Sequence, residues 1–391
     1  MFTFIIFLYL CIVDKVKITY SVFLLNSSYC FTHKYIIMAK LTKSGLDPEN
    51  FITTIEGKPV KLYVLTNENG VEACITNYGG RIVSLMVPDR DGRLTDVELG
   101  HDSIANYLAD DGNFGALIGR YGNRIGNGKF SIDGVEYNLP INNNGHCLHG
   151  GLIGYDKKVW DAKQEGNRLE LTLVDPDGTE GFPGTLNVKV IYTLTDDNAI
   201  DIEYSATTDK ATIVNLTNHS YFNLNGDLAS SIHNHVLMID ADRITPADAT
   251  LITDGSFMDV EGTAFDFRNA KPIGQDINAD DEQLKNGNGY DHSFALNHPG
   301  DINNVALRVM SPVTGIVMEV LTTEPAAQMY TGNFLDENLK GKFGVGYPAR
   351  SAVAFETQHY PNTPNCPEYP SCELRPGETY YTRTIYRFTT D

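Results

Sequence analysis

The sequence predicts an all-β fold, a large antiparallel β-sandwich or barrel with few short helices. Apolar and polar residues alternate in segment after segment, as they do in strands that bury one face. Turn-forming residues separate these segments, since the 391-residue chain contains 35 glycines and 17 prolines. No stretch of twelve or more residues combines a 3.6-residue apolar period with caps at both ends, so long helices are not expected.

The first clear strands form a hairpin, in which Phe130 and Ile132 precede the turn Asp133-Gly134. Glycine suits this turn because it adopts positive φ without steric cost. A meander of three strands follows, with alternating apolar residues at positions 169–173, 186–194 and 200–206. The same pattern predicts strands at residues 238–241, 306–310, 317–321, 352–356 and 380–388. Short helical turns are expected near residues 103–109 and 280–285.

Composition and charge exclude several classes of protein. The chain has 30 Lys and Arg against 50 Asp and Glu, which gives a net charge of -20. Such a field repels polyanions, so nucleic acid and anionic membrane surfaces are not expected partners. With 42% hydrophobic residues, the composition is that of a soluble globular protein and not of a collagen, coiled coil or low-complexity chain.

The first 37 residues differ in composition from the rest of the chain. Residues 1–13 are an apolar run, shorter than the ~20 residues that a membrane helix needs. Lys15 and Lys17 follow this run, whereas a secretory signal has its basic residues before it. We interpret residues 1–37 as an extension upstream of a start at Met38, with a signal or anchor segment as the alternative. Residues 38–391 are interpreted as a single domain.

The six cysteines form no C-x-x-C pair, and their spacing does not fit a zinc site. Cys366 and Cys372 could form a disulfide in an oxidising compartment, but reduced thiols are the preferred interpretation. Cysteine usage therefore favours a cytoplasmic location, with export as the alternative if residues 1–37 act as a signal.

Four segments interrupt the strand alternation with densely polar or titratable residues, which makes them candidate functional regions. They are GRYGNRIGNG from Gly119, NGHCLHGG from Asn144, NLTNHSYFNL from Asn215 and AFETQHYPN from Ala354. The first is not a phosphate loop of the GK[ST] kind, because Lys129 and Phe130 follow Gly128. Taken alone, each segment is equally well explained as a tight loop or a polar strand end.

Taken in order, the motifs NRI, LHGG, TNHSYFNL and FETQ-x-YP-N resemble the aldose 1-epimerases, also called galactose mutarotases. The sequence Gly289-Tyr290-Asp291-His292 resembles the family's G-(F/Y)-D-H, and EPAAQMY at residues 324–330 resembles a later strand. The resemblance extends from about Asn50 to Phe388. It implies a galactose mutarotase-like β-sandwich and an enzyme that interconverts the α and β anomers of free aldohexoses such as galactose and glucose.

The resemblance also implies roles for seven residues. Glu356 stands at the position of the catalytic base, and His219 stands at that of the general acid. The positions that bind the sugar are Arg124, His149, Asp291, Asn123 and Gln328. The family needs neither a metal ion nor an organic cofactor, and the expected partner is a small-molecule aldose.

A carboxylate base and an imidazolium acid suit this reaction. Ring opening removes a proton from the anomeric hydroxyl and adds one to the ring oxygen. The aldehyde then rotates about C1–C2 and recloses on its other face. We expect Glu356 to be ionised and His219 to be charged at neutral pH, with Asp291 favouring the charged imidazole. A bell-shaped pH dependence follows from this expectation.

Three other functions fit parts of the pattern. A glycoside hydrolase would use two carboxylates, for which Asp291 and Glu356 are candidates. A non-catalytic sugar-binding module often relies on aromatic platforms, whereas this chain has a single tryptophan, Trp160. A hexose-6-phosphate epimerase would need a cationic phosphate cradle, for which Arg120 and Arg124 are the candidates.

Overall fold

Strands make up most of the computed structural model, which describes residues 41–110, 112–338 and 340–391. These residues all belong to one compact unit, Ala39–Asp391. The extension expected at residues 1–37 lies outside the described residues. Two short α-helices occur among the described residues, α1 (Ile104–Ala109) and α2 (Glu282–Gly287). Neither is long and apolar enough to cross a membrane.

The strands are numbered in chain order. The first group is Thr53–Ile55 (β1), Lys58–Val60 (β2), Leu62–Thr66 (β3), Glu72–Thr76 (β4), Arg81–Pro88 (β5), Leu94–Asp96 (β6), Ala116–Ile118 (β7), Arg124–Ile125 (β8) and Lys129–Ile132 (β9). The second group is Val135–Asn138 (β10), Cys147–Leu148 (β11), Asp161–Glu165 (β12), Arg168–Asp175 (β13), Leu186–Leu194 (β14), Ala199–Thr208 (β15), Thr212–Ile213 (β16), Thr217–His219 (β17), Tyr221–Phe222 (β18) and Val236–Ile239 (β19). The third group is Ala241–Thr245 (β20), Met258–Asp259 (β21), Lys271–Pro272 (β22), Asp291–Leu296 (β23), Val305–Met310 (β24), Ile316–Thr322 (β25), Ala326–Tyr330 (β26), Val353–Gln358 (β27), Glu373–Leu374 (β28) and Tyr380–Thr390 (β29).

The largest sheet has nine antiparallel strands in the order β12-β13-β14-β15-β29-β25-β24-β19-β22. Its apolar residues alternate as the sequence predicts. In β14 the side chains of Leu186, Val188 and Val190 are buried, whereas Asn187 and Lys189 between them are exposed. One face of this sheet therefore supplies the core and the other faces solvent.

The other large sheets are a six-stranded sheet, β18-β27-β26-β23-β20-β21, and a four-stranded sheet, β3-β4-β5-β6. The remaining described strands form five two-stranded sheets, β1-β2, β9-β10, β8-β11, β16-β28 and β7-β17. One hydrophobic cluster combines residues of all three large sheets, for example Leu85 in β5, Leu307 in β24 and Phe355 in β27. The hydroxyl of Tyr386 in β29 also donates to the carbonyl of Phe355 at 3.0 Å. This shared core is that of an antiparallel β-sandwich, which confirms the predicted fold class.

Local signals in the sequence account for several element boundaries. The predicted hairpin is β9 and β10, and Asp133 and Gly134 both have positive φ, as a two-residue type I′ turn requires. Ser103 caps α1 and Asp281 caps α2 through their side-chain oxygens. Both helices lie where short helical turns were predicted.

The strand predicted at residues 238–241 is wrong in one respect, because the chain leaves one sheet and enters another within it. Strand β19 ends at Ile239 in the nine-stranded sheet, and β20 begins at Ala241 in the six-stranded sheet. The apolar alternation continues through this change of sheet, so the pattern alone does not reveal it.

The four described cysteines, Cys74, Cys147, Cys366 and Cys372, are buried and free. Burial raises the pKa of the Cys366 thiol to about 11. The thiols therefore stay protonated at neutral pH, and a thiol in this form is a poor nucleophile.

Candidate active site

Most of the predicted site residues line one cavity of about 350 Å³, formed by strands of the six-stranded sheet, by β17 and by the two-stranded pair of β8 and β11. The cavity is lined by Asn113, Asn123, Arg124, Asn143, Asn144, Leu148, His149, His219, Leu251, Asp291, Tyr330, Phe334 and Glu356. Six of the seven predicted residues are in this set. The seventh, Gln328, lies behind Asp291 and contacts it directly.

Two strands bring Glu356 and His219 together. Glu356 is in the middle of β27, in register with Gln328 of β26. His219 is the last residue of β17, which pairs with β7, and its carbonyl accepts the amide of Gly115 at 3.0 Å. The distance from His219 Nε2 to Glu356 Oε1 is 3.5 Å, and both side chains are almost fully buried. The two titratable groups thus meet in one cavity although 137 positions separate them in the chain.

Asp291 begins β23, the neighbour of β26 in the same sheet. The side-chain amide of Gln328 donates to Asp291 Oδ1 at 2.7 Å, which fixes the orientation of that carboxylate. Burial raises the pKa of Asp291, while Arg124 and the hydrogen bond from Gln328 oppose the shift. Asp291 is therefore positioned as a hydrogen-bond acceptor for a polar ligand, with Gln328 as its support.

The antiparallel pair of β8 and β11 sets the other wall of the cavity. Arg124 pairs with Leu148 between these strands, and its Nε donates to Asn143 Oδ1 at 3.1 Å. The backbone amide of Asn123 donates to His149 Nδ1 at 3.2 Å. Burial lowers the pKa of His149, helped by His219 and Arg124, so this imidazole is neutral. Because Nδ1 accepts, Nε2 carries the ring proton and His149 can donate one hydrogen bond.

The protonation states of the central pair differ from the sequence-based expectation. Burial, with a smaller effect of Arg81, lowers the pKa of His219 to about 4. Burial and the nearby Asp291 raise the pKa of Glu356 to about 8, against the opposing effect of Arg124. The expectation of a charged His219 is wrong because desolvation dominates and the charge that acts most on this imidazole is Arg81. Both shifts favour the neutral imidazole of His219 and the protonated carboxyl of Glu356 at neutral pH.

Arg81, at the start of β5, lies behind His219. Its guanidinium donates to the carbonyls of Gly112 and Phe114, at 3.2 and 3.0 Å, and to the carbonyl of Asp156 at 3.1 Å. It is 1% exposed. The loop that it holds continues into Gly115, whose amide binds the carbonyl of His219, so this side chain both places the imidazole and acts on its charge.

Three side chains in the cavity could approach a metal ion. The donor atoms of His149, His219 and Glu356 lie within 4.8 Å of one another. A metal-bound histidine normally donates through its second nitrogen, however, whereas His149 Nδ1 accepts the Asn123 amide. A metal at Nε2 would therefore need His149 to lose both ring protons. The three residues are better arranged to bind a ligand by hydrogen bonds.

Sequence reasoning missed part of the cavity lining. Asn144 begins the NGHCLHGG segment and Asn143 precedes it, while Tyr330 ends the EPAAQMY segment, so position in the chain could have indicated all three. Asn113 and Phe334 lie in loops without any such signal.

Arg120 does not line the cavity. Its guanidinium is buried and bound to Asp175, with an Nη2–Oδ2 distance of 2.8 Å. The two-arginine phosphate cradle considered for a hexose-6-phosphate epimerase is therefore not formed, because Arg120 is committed to an internal ion pair.

An antiparallel β-sandwich that places a carboxylate and an imidazole in contact inside a polar cavity is typical of an enzyme that acts on a small polar molecule. Comparison with known proteins narrows this class. Residues 61–387 match the aldose 1-epimerase family. The chain is 44% identical to galactose mutarotase of Bos taurus over 315 residues, 81% of this chain and 90% of that protein. It is 41% identical to aldose 1-epimerase of Escherichia coli strain K12 over 336 residues, 85% of this chain and 96% of that protein.

Solved structures agree with this result. The GalM/aldose epimerase homologue from C. elegans superposes with a TM-score of 0.77 at 30% identity, covering 85% of this chain and 99% of that one. Galactose 1-epimerase from Lactobacillus acidophilus NCFM gives 0.76 at 30% identity, covering 86% and 97%. The chain belongs to the aldose 1-epimerase family, and it is an isomerase that interconverts the anomers of aldoses.

Proposed function

We propose that Glu356 and His219 carry out this interconversion on free aldohexoses, galactose and glucose among them, as the base and the acid. One observation supports the assignment most: the 3.5 Å approach of a carboxylate and an imidazole inside a cavity of about 350 Å³, which has room for one pyranose. Proton transfer by positioned groups is what hemiacetal opening requires.

The reaction begins with a sugar held by its hydroxyl and ring oxygens. Arg124 and the Nε2–H of His149 donate to the sugar, and the Asp291 carboxylate accepts from its hydroxyls. Glu356 removes the proton of the anomeric hydroxyl while His219 protonates the ring oxygen, which breaks the C1–O5 bond. Rotation about C1–C2 presents the other face of the aldehyde, and the two proton transfers reverse as the ring closes.

Glu356 and His219 together hold one proton at neutral pH, and the proposed reaction also requires one proton on the pair. Between about pH 4 and about pH 8 the pair holds one proton, which resides on Glu356. The proposed reaction starts from the arrangement with that proton on His219, and the pair's 3.5 Å separation allows this internal transfer with a small approach of the side chains. No proton is gained from or lost to solvent over a full turnover.

Polarimetry of freshly dissolved α-D-galactose or α-D-glucose tests the assignment. Glu356→Gln and His219→Ala should each slow the enzymatic change in optical rotation by about 10²- to 10⁴-fold, because each removes one proton-transfer group. Glu319→Gln is the matched control, since Glu319 lies in β25 of the nine-stranded sheet and pairs with Arg387 away from the cavity. A rate near that of the wild type in either site variant would remove that residue from the mechanism.

We also propose that residues 38–391 form the catalytic domain and that the chain acts in the cytoplasm. The continuous unit Ala39–Asp391 and the four buried free thiols support this proposal. Mass spectrometry of the native amino terminus tests it. A mature chain that begins within residues 1–37 after signal cleavage would contradict the cytoplasmic location.

A further inference from the structure

Phe334 is an exception in the lining of the cavity. Its side chain is 66% exposed, more than any other large hydrophobic residue of the described chain, yet it lies at a cavity of mostly polar residues. Single exposed hydrophobic residues are common on protein surfaces. An exposed aromatic ring at a polar cavity indicates a role in ligand binding, because ligand sites combine apolar surfaces with convergent polar groups.

Hydrogen bonds of the residues that precede Phe334 hold the start of its loop in place. Asn333, which precedes it, is buried, and its side-chain amide donates to the carbonyls of Gly287 and Tyr290 at 2.9 and 3.0 Å. The hydroxyl of Thr331 donates to Asn333 Oδ1 at 2.7 Å. The amide of Phe334 donates to the hydroxyl of Tyr330, another residue of the cavity, at 3.1 Å. The ring is thus presented from a fixed backbone, which reduces the entropy lost when a ligand binds it.

The polar residues that line the cavity offer hydrogen bonds and charge. Glu356, His219, Arg124 and Asp291 can engage the hydroxyl groups of a pyranose, but none of them can contact its C–H surface favourably. An aromatic face does so, because the negative π-face of the ring attracts polarised C–H groups. Phe334 is the exposed aromatic side chain of this cavity.

Aldohexoses differ in the size of that C–H surface. The axial C4 hydroxyl of galactose leaves the C–H groups of C3, C4 and C5 on one continuous face. The equatorial hydroxyl of glucose turns the C4–H group to the opposite face. An aromatic platform therefore favours the galacto configuration over the gluco configuration.

We propose that Phe334 is a specificity-determining platform that stacks on the C–H face of the bound sugar and favours aldoses with an axial C4 hydroxyl. This inference rests on the proposed function. It assigns Phe334 to substrate binding and gives it no part in proton transfer.

Steady-state kinetics on the full chain tests the proposal with α-D-galactose and α-D-glucose. Phe334→Ala should raise KM for galactose by about three- to tenfold while kcat changes less than twofold. Its effect on KM for glucose should be smaller, so the galactose-to-glucose ratio of kcat/KM falls. Phe334→Trp should retain the preference, because it keeps a flat aromatic face.

Two further variants separate stacking from other roles of an exposed apolar side chain. Phe334→Leu keeps the apolar character but removes the flat ring, so it should behave like Phe334→Ala. Phe343→Ala is the matched control, because Phe343 is 59% exposed and lines a different surface depression with Lys43 and Met86. It should leave both KM values unchanged.

Three results would overturn the proposal. These are wild-type KM values in Phe334→Leu, equal losses for the two sugars in Phe334→Ala, or a kinetic loss that coincides with a changed oligomeric state in size-exclusion chromatography. A wild-type chain that accelerates neither sugar would instead overturn the proposed function. Calorimetric titration of galactose into the wild type and Phe334→Ala would then still test the platform, with equal affinities counting against it.

Discussion

The nine-stranded and six-stranded sheets share one core but bury different kinds of residue. In the nine-stranded sheet, strands such as β14 alternate buried apolar side chains with exposed polar ones. In the six-stranded sheet, every residue of β27 is buried, including Glu356, Thr357 and Gln358. The first pattern is that of a sheet with one face in the core, whereas the second buries polar side chains together with apolar ones.

Hydrogen bonding shows the cost of the second arrangement. Among the described residues, buried side-chain atoms without a hydrogen-bond partner occur on three strands of the six-stranded sheet, at His292, Ser293, Gln328, Glu356 and Gln358. On the nine-stranded sheet the corresponding set is one atom, Asp175 Oδ1. Buried polar groups are normally paired, and an unpaired one costs about 1–3 kcal/mol. Of these residues Glu356 lines the cavity and Gln328 holds Asp291, so part of this cost falls on residues of the candidate site.

The pH dependence of the reaction is the largest effect that this comparison predicts. A single-proton pair with pKa values near 4 and 8 should give a plateau of kcat/KM between these values. Below the plateau His219 takes up a second proton, and above it Glu356 loses the shared one. The rate should fall about tenfold per pH unit beyond either limit. Anomer interconversion measured by polarimetry in buffers from pH 3.5 to 10 checks this.

A narrower pH range of constant kcat/KM would contradict this contrast between the two sheets. Ordinary pKa values of 4.5 for glutamate and 6.5 for histidine would place both limits within about two pH units. Such a result would mean that burial in the six-stranded sheet does not perturb the pair.

A substitution in the nine-stranded sheet should reduce stability without affecting chemistry. Leu307 in β24 is fully buried in the shared core, so Leu307→Ala should lower the free energy of unfolding by about 2–5 kcal/mol. Urea denaturation followed by far-UV circular dichroism measures this loss. The specific activity of the folded fraction should equal that of the wild type. A large loss of kcat at unchanged folded fraction would show that the two sheets are not separable in function.

A substitution of Glu356 in the six-stranded sheet should lower activity but raise the free energy of unfolding at alkaline pH. The pKa of Glu356 is raised from an ordinary value of 4.5 to about 8. The folded protein therefore favours the protonated carboxyl, and its free energy of unfolding is highest below pH 4.5 and falls as the pH rises towards 8. Glu356→Gln does not titrate, and it should therefore gain stability over the wild type as the pH rises from 5 to 8. We expect a gain on the order of 1–3 kcal/mol at pH 8. Urea denaturation of both proteins at pH 5 and pH 8 measures it, and a constant difference would contradict the burial of this carboxyl.

Much of the fold follows from local signals. The alternation at residues 186–206 predicts β14 and β15, and Asp133-Gly134 predicts the turn between β9 and β10, because both depend on near neighbours in the chain. The change of sheet between Ile239 and Ala241 depends on which distant strands each segment meets. Sequence spacing does not contain that information.

The candidate site, like the fold, can be predicted from the sequence only in part. The polar segments around His219 and Glu356 break the strand pattern, so their importance is visible in the sequence. The protonation of the pair is not visible, because it depends on burial and on Arg81, which lies far away in the chain. Phe334 is likewise hidden, since a phenylalanine in a loop is unremarkable until its exposure at the cavity is known.

Arg81 has a consequence for how the pKa of the His219 imidazole can be altered. The guanidinium of Arg81 holds the 112–115 loop and also lowers the pKa of the His219 imidazole. A substitution of Arg81 would therefore change the pKa of His219 and its position at the same time. Changing the pKa of this imidazole without moving it would therefore require substitution of other neighbours of His219, such as Tyr221, whose ring lies 4.8 Å from it.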